Sequence, residues 1–163
     1  MNKEEEIQQE LIKKFDFPES NIRIPKERRI FVDVSMDMFE EVLKFLMDKI
    51  HFDTLCTITG LDEGTELAII YHLTRQDGIV INIKTSAPKD NPVIKTIMGY
   101  FPSAEFYERE LVDLLGAKVE GLPEGSRYPL PDGWPEGQYP LRKDWKSDSI
   151  KKDWKSDTLK KEG

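Results

Sequence analysis

The residues from Gly121 to Pro140 constrain the fold most, because they show neither a helix period nor a strand period. This segment holds four of the ten glycines and five of the ten prolines of the chain. Irregular segments of this length are uncommon inside a compact domain and are usually functional or disordered. Disorder fits poorly, since tyrosine, tryptophan and leucine recur through the segment, and disordered tracts are poor in aromatics. The segment therefore predicts a stiff, extended arm that lies on another protein.

A short helix is predicted just before this segment, between Pro102 and Gly116. Ser103 can serve as its N-cap, and Gly116 is suited to end it in a left-handed conformation. Apolar residues at helical spacing form one stripe along it: Tyr107, Leu111, Leu114 and Leu115.

Charged residues occupy the rest of this helix. Arg109 lies four residues from both Glu105 and Asp113, so it can bridge the two carboxylates. Glu108 and Glu110 flank the apolar stripe, one on each side. That placement suits hydrogen bonds at the rim of a contact with a partner.

Upstream, the pattern predicts an α+β fold, with a small, largely antiparallel sheet and helices packed on one of its faces. Helices are predicted over Glu4–Phe15, after a cap at Asp37, and over Pro92–Met98. Strands are predicted over Arg29–Val34, Phe52–Thr59, Glu66–Thr74 and Gly78–Thr85, with turns at 60–65 and 77–78. The domain is predicted to span residues 1–116, and the C-terminal arm, with its charged tail, residues 117–163.

Composition excludes several classes of function. The formal net charge of −7 argues against nucleic acid as a partner. No apolar run is long enough to span a bilayer, so membrane association is expected only through partner subunits. The lysine- and glutamate-rich N-terminus is unlike a signal peptide, and a cytoplasmic location is expected. Abundant lysine and glutamate with few amides are typical of thermophile proteins.

Candidate catalytic or metal-binding residues are few. One cysteine and two histidines make a metal site of soft ligands improbable. Cys56 lies in a predicted strand, where a buried small apolar side chain is expected rather than a nucleophile. Glu108 and Glu110 diverge by about 160° around their helix, so they cannot act together on one bond. The sequence therefore predicts a binding subunit that is not catalytic by itself and holds no cofactor.

Two motifs on either side of the irregular segment resemble a known family. The first is Glu108-Arg109-Glu110-x-x-Asp113-Leu-Leu-Gly116, and the second is Pro140-Leu141-Arg142-Lys143-Asp144-Trp145. Together they resemble the signature of the 30-kDa subunit of respiratory complex I and of its relatives in membrane-bound [NiFe] hydrogenases and formate hydrogenlyases. The resemblance covers the layout of about residues 5–145.

The resemblance implies a subunit without a cofactor, which packs against a large catalytic subunit while its arm wraps over that partner. A [NiFe] centre and iron–sulfur clusters are then expected in the large subunit and an iron–sulfur subunit, on the cytoplasmic side of the membrane. Aromatic residues and arginine are the usual interface anchors. The predicted interface residues are Glu108, Arg109, Glu110, Asp113, Arg127, Trp134, Leu141, Arg142, Lys143, Asp144 and Trp145.

The branch of the family is read from the irregular segment. Respiratory members typically carry Gly-His-Pro and a basic Leu-Arg-Arg run, where this chain has Gly121-Leu122-Pro123 and Ser126-Arg127-Tyr128-Pro129. The run 129–134 looks closer to the hydrogenase branch. A respiratory NADH/quinone-type complex or a sulfur-reducing relative stays an alternative, as does a free-standing adaptor that binds peptides along a sheet edge.

Overall fold

A five-stranded sheet forms the centre of the computed structural model, which describes residues 2–150. The last part of the predicted arm, residues 151–163, lies outside the described residues. In chain order the strands are β1 (Ile22–Lys26), β2 (Arg29–Asp33), β3 (Thr54–Asp62), β4 (Glu66–Thr74) and β5 (Val80–Pro88). They lie in the order β1-β2-β5-β4-β3, and only β2 and β5 run parallel to each other.

Three α-helices accompany this sheet within the described residues. They are α1 (Lys3–Phe15), α2 (Met36–Asp48) and α3 (Ala104–Leu115), with single 3₁₀ turns at Glu19–Asn21 and Ser147–Ser149. Alternation along the strands gives one apolar face; on β4 the buried residues at that spacing include Leu67, Ile69, Tyr71 and Leu73. The helices bury their apolar sides in the same core. The predicted α+β class is therefore confirmed.

A second, two-stranded sheet replaces one predicted helix. Strand β6 (Val93–Lys95) pairs in parallel with β7 (Lys118–Glu120), so the helix predicted over Pro92–Met98 is wrong. The short apolar run cannot be told from a helix by periodicity, but its β-branched Val93 and Ile94 suit a strand. This pairing also crosses the predicted domain boundary after residue 116, which itself stays a prediction.

Several element boundaries differ from the sequence prediction. Strand β1 was not predicted, because Pro25 interrupts its pattern; proline is tolerated there because β1 is an edge strand. Strand β3 continues through Asp62, so the turn predicted from Gly60 begins only after Asp62. Helix α2 has Ser35 at its N-cap position, and Asp37 lies inside its first turn rather than capping it.

The described part of the arm, residues 117–150, lies on this chain's own domain. Apart from β7 and one 3₁₀ turn it contains no regular element within the described residues. Its backbone and side chains are hydrogen-bonded to α3 and to the sheet edge, and the contact with another protein stays a prediction. Polar groups of the domain provide these hydrogen bonds. The sequence pattern of the arm itself could not indicate them.

Candidate docking site on helix α3 and the arm

Helix α3 is fixed to strand β3 through its apolar side. Leu111 and Leu115 are buried there, and a Cβ added at Gly60 would overlap both of them. Any larger residue at position 60 would force these leucine side chains to shift, so glycine favours the close approach of helix and strand. Of the predicted apolar stripe, Tyr107 and Leu114 are only half-buried, which leaves this side of α3 partly open to the arm.

Glu108 lies inside the chain and not at the rim of a contact. Its side chain is completely buried, and its carboxylate accepts hydrogen bonds from the Thr96 hydroxyl at 2.6 Å and from the Ile97 N–H at 2.7 Å. Burial raises the pKa of Glu108. The expectation that it faces a partner is therefore corrected: it fastens the segment after β6 to α3. A helical pattern alone cannot reveal which other segment covers a given side.

Arg109 pairs with only one of the two carboxylates predicted for it. Its guanidinium binds Glu105 at 2.9 Å and also donates to the Pro123 carbonyl at 2.9 Å. The predicted bridge to Asp113 is absent from the described ion pairs, because the arm brings another arginine to that carboxylate. Arg109 thus ties the start of the arm to α3.

Asp113 is the main attachment point of the arm on α3. Its buried carboxylate accepts from Arg127 at 3.3 Å and from the Leu130 N–H at 3.1 Å. Arg127 in turn donates to the Trp134 carbonyl at 2.6 Å. The structure therefore brings three predicted interface residues together, but in contact with one another. Glu110, one turn earlier, is half-buried, and no ion pair is seen for it among the described residues.

The two described tryptophans close the irregular segment on itself. The rings of Trp134 and Trp145 are stacked with centroids 6.2 Å apart. Both indole N–H groups donate to Gln138, one to its carbonyl at 2.8 Å and the other to its side chain at 3.0 Å. Buried aromatic nitrogens usually find such partners, and here they fix the shape of residues 134–145.

The second motif caps the C-terminus of α3. The Leu141 N–H donates to the Leu114 carbonyl at 3.1 Å, and the Arg142 guanidinium to the Leu115 carbonyl at 2.7 Å. These are carbonyls that a helix end leaves without an intrahelical partner, and a cation there also suits the helix dipole. Gly116 follows at φ 73°, and a Cβ there would overlap the Tyr139 ring. Glycine is thus required both by conformation and by space.

A buried carboxylate that the sequence analysis missed holds the end of the motif. Asp62 accepts from the Lys143 N–H at 2.8 Å and pairs with Lys89 at 2.8 Å. Lys89 pairs in turn with Asp144 at 3.1 Å. The hydrogen bond from Lys89 lowers the pKa of Asp62 to about 2. Asp62 was missed because residues 60–65 were predicted to form a turn.

Helix α3 and the arm as far as Trp145 form one unit, the docking module, and its outer surface is partly apolar. Leu141 is 54% exposed, Phe106 59% and Tyr128 46%, and the rings of the last two meet edge to face at 5.7 Å. Lys143 is also exposed. Leu141 and Lys143 were predicted as interface residues, whereas Phe106 and Tyr128 were not. Their aromatic character was a usable signal, since aromatic residues are enriched in interfaces.

Features of other kinds of site are lacking in residues 2–150. No group of three or more histidine, cysteine, aspartate or glutamate side chains there could hold a metal ion. No helix in that range is long and apolar enough to cross a bilayer. Cys56 is exposed, so its expected burial is wrong. The β3–β4 pairing shifts between Leu55 and Thr57, and this irregularity changes the side to which Cys56 points.

Sequence relatives include subunits of a dehydrogenase and of a membrane-bound hydrogenase. The F420H2 dehydrogenase of Methanosarcina mazei has a component that is 34% identical over 131 residues, which cover 78% of this chain and 81% of the relative. The beta subunit of the membrane-bound hydrogenase of Pyrococcus furiosus is 31% identical over 157 residues, which cover 90% of this chain and 88% of the relative.

Structural similarity extends over nearly the whole chain. A chain in the structure of the membrane-bound sulfane sulfur reductase, described as an archaeal respiratory membrane complex, matches with a TM-score of 0.80 and 26% identity. The match covers 99% of this chain and 91% of that one. A family model described as respiratory-chain NADH dehydrogenase, 30 Kd subunit, matches residues 32–151. Because that match covers well over half of the chain, the protein is a member of the 30-kDa subunit family of respiratory-chain NADH dehydrogenase.

Proposed function

We propose that this chain is a non-catalytic structural subunit of a membrane-bound, ion-translocating [NiFe] hydrogenase or of a related complex. It belongs to the peripheral, cytoplasmic part and packs on the large catalytic subunit, beside an iron–sulfur subunit. Those partners carry the [NiFe] centre and the iron–sulfur clusters, and the chain reaches the membrane only through them.

The observation that carries this proposal is the extent of the similarity to the hydrogenase subunit. An alignment that covers 90% of this chain necessarily includes α3 and the arm as far as Trp145. The similarity therefore includes the module in which the arm is attached to α3, and not only the sheet. Family members that share both parts are expected to use them for the same kind of contact.

The contacts within the module divide the predicted interface residues into two groups. Arg109, Asp113, Arg127 and Arg142 bind other parts of this chain, so they hold the arm in one shape. Residues that face outward, above all Leu141 and Lys143, are then available to the partner. An arm that is already ordered loses less conformational entropy on binding, which favours assembly.

A sulfur-reducing complex is the second candidate. It is supported by the structural match to a chain of the sulfane sulfur reductase over 99% of this chain. A complex of the dehydrogenase type is supported by the 34% identity to the component of the F420H2 dehydrogenase. All three candidates share the docking role and differ in the electron donor or acceptor of the partner subunits.

Purification of the native complex through a tag on this chain tests the proposal. We expect a large subunit and an iron–sulfur subunit to be recovered with it, with hydrogen evolution as the activity. Sulfane sulfur reduction or F420H2 oxidation without hydrogenase activity would select one of the other candidates. A chain that purifies alone, or that itself holds a stoichiometric metal ion resistant to chelation, would overturn the proposed role.

Arg109→Ala and Trp145→Ala then test whether assembly depends on the docking module, because both residues hold the arm in shape through contacts within this chain. If the module is buried in the complex, Arg109→Ala should weaken assembly by about 2–5 kcal/mol. Trp145→Ala should weaken it by about 2 kcal/mol. Arg23→Ala removes an exposed ion pair with Asp33 on the far side of the sheet and serves as the control, at about 0–1 kcal/mol. Full assembly and activity of both variants, each folded by circular dichroism, would show that assembly does not depend on the order of this module.

A further inference from the structure

A cavity of about 720 Å³ lies on the α2 side of the domain, and its lining includes no residue beyond Glu120. Helix α2 forms one wall through Met36, Phe39 and Leu43, and β6 with the turn after it forms the other through residues 93–100. Tyr71 of the central strand β4 also lines it. The size and the largely apolar walls are those of a binding pocket.

The hydroxyl of Tyr71 has no hydrogen-bond partner among residues 2–150. Its side chain is 1% exposed and packs against Phe39 with ring centroids 4.4 Å apart, yet none of the hydrogen bonds in that range reaches the hydroxyl. Burial raises the pKa of Tyr71, so the group stays a neutral phenol. In residues 2–150 the fully buried side-chain polar atom without a partner is Thr85 Oγ1 and not this hydroxyl, so the Tyr71 hydroxyl borders the cavity, from which a polar group can reach it.

The rim of the cavity is acidic. Asp37, Glu40 and Glu120 line it, with Lys95 as the single basic residue among its lining side chains in the described part of the chain. Glu40 is engaged by Lys44 at 3.0 Å and by the Tyr100 hydroxyl at 2.8 Å. Neither Asp37 nor Glu120 has an ion-pair partner among the described residues. The rim therefore favours an occupant that brings positive charge.

We propose that this cavity receives an apolar side chain of a neighbouring subunit, carried next to a lysine or arginine of the same segment. The apolar side chain fills the space between α2 and β6 and brings a polar group to the Tyr71 hydroxyl. The basic residue lies against Glu120 and Asp37. The inference rests on the proposed role as a subunit and adds a second contact surface, on the α2 side of the domain, which includes Glu120 at the end of β7 but no residue beyond it.

Gly99 is a lining position at which a side chain can be added without straining the backbone. It lines the cavity, its backbone is not left-handed, and a Cβ there would meet no atom within 4 Å. Gly99→Leu should occupy the space intended for the partner and weaken assembly at least about tenfold. Gly99→Ala at the same position adds one carbon and leaves most of the space, so it is the matched control and should assemble normally.

Tyr71→Phe separates a binding role from a structural one. It keeps the ring on Phe39 and removes only the hydroxyl, for which residues 2–150 provide no hydrogen bond. Thermal unfolding of the isolated variant should be unchanged or shifted upward, while assembly weakens several-fold. A variant that loses stability and assembles as well as the wild type would show that the hydroxyl serves the fold.

Charge and identity of the occupant are tested in the purified complex. Glu120→Gln should weaken assembly more at low than at high salt, whereas Glu19→Gln, an exposed control outside the cavity, should not. A photo-crosslinking residue at Lys95 should join this chain to a partner peptide in which a basic residue adjoins an apolar one.

The outcomes separate this inference from the proposed function. If no partner co-purifies with the wild-type chain, the proposed function fails. If partners co-purify but Gly99→Leu assembles like Gly99→Ala and the crosslink at Lys95 reaches no partner, the cavity inference alone is wrong. A crosslink to a small molecule or to a second copy of this chain would also overturn it.

Discussion

The domain and the arm of this protein are held by different forces. The core of buried apolar side chains runs from Ile7 to Ala117, and beyond Ala117 no residue with a described side chain is buried. The arm is instead attached by polar contacts, of which the ion pairs Arg127–Asp113 and Lys89–Asp144 and the backbone bond of Leu141 are examples. The net contribution of one hydrogen bond to stability is only about 0.5–1.5 kcal/mol. The part of the arm beyond β7 should therefore be able to leave the domain while the domain stays folded.

Two buried carboxyl groups express the same difference in their response to acid. Glu108 in the domain has a raised pKa because burial disfavours its charge, whereas Asp62, which holds the arm, has a pKa lowered to about 2 by Lys89. Protonation in acid removes the cost of burying a charge at Glu108, whereas at Asp62 it weakens the binding of Lys89 and of the arm. The tryptophans, at positions 134, 145 and 154, report on the arm alone, since the domain contains none.

The largest effect is expected from Leu111→Ala, in the contact between α3 and β3. Loss of a fully buried leucine should lower the free energy of unfolding by about 2–5 kcal/mol. Helix α3 also carries Asp113 and the C-terminal carbonyls that the arm binds. The urea midpoints reported by circular dichroism and by tryptophan emission should therefore both move to lower urea concentration. Leu61→Ala on the exposed side of β3, at a leucine that is 44% exposed, is the control and should change stability by less than about 0.5 kcal/mol. If only the tryptophan transition of Leu111→Ala shifted, α3 would belong with the arm and not with the core of the domain.

A smaller loss is expected from Glu108→Ala, which leaves the Ile97 N–H buried without an acceptor, at about 1–3 kcal/mol. Glu108→Gln keeps an acceptor and the shape, so it should cost less. Because the folded-state pKa of Glu108 lies above its ordinary value of 4.5, the stability it contributes is fully present below pH 4.5 and is lost as the pH rises through the folded pKa.

Urea titrations at several pH values check this sign. The stability of Glu108→Gln relative to the wild type should rise with pH above 4.5. A relative stability that falls over the same range would mean that the carboxylate is stabilised where it lies, contrary to its burial.

Asp113→Ala should release part of the arm and spare the domain. It removes the partner of Arg127 and of the Leu130 N–H, and the expected change is about 1–2 kcal/mol in attachment of the arm. Tryptophan emission should shift to longer wavelength, and trypsin should cut beyond residue 120 sooner. The urea midpoint measured by circular dichroism, which reports on the domain, should not change. Asp132→Ala, an exposed position in the same segment, is the control. An equal loss in the domain signal would show that arm and domain are one cooperative unit.

The sequence predicted the domain better than the site, for a physical reason. Strand β4 was predicted with its bounds and its buried residues, because alternation reports directly which side of a strand is apolar. Arg109 and Glu105 were paired correctly, since residues four apart on a helix must be neighbours. Such rules concern residues within a single element.

The site depends on contacts between elements that are far apart in sequence. Asp62 meets Lys143, which lies 81 positions away, and nothing in either neighbourhood signals this contact. Glu108 was placed at a rim because it flanks the apolar stripe of its own helix, a pattern that says nothing of the segment at Thr96 and Ile97 that covers it. A long irregular arm has no period from which its course could be predicted. The signal that was present, its aromatic content, indicates contact but not with which surface.

The smallest effect, visible only in acid, concerns Asp62. Because its folded-state pKa lies below the ordinary value of 3.8, the stability it contributes is present above pH 3.8 and is lost as the pH falls toward about 2. Tryptophan emission of the isolated chain should therefore report release of residues near Lys143 between about pH 4 and pH 2, before circular dichroism changes. In Asp62→Asn the same emission should already be shifted at neutral pH and should change little in this window. Asp77→Asn, which removes the ion pair with Arg75 at the other end of the sheet, is the control and should leave the emission step in place. If the wild-type emission and dichroism changed at one common pH, the arm would be no more sensitive to acid than the core, and the contrast between the two regions would not hold.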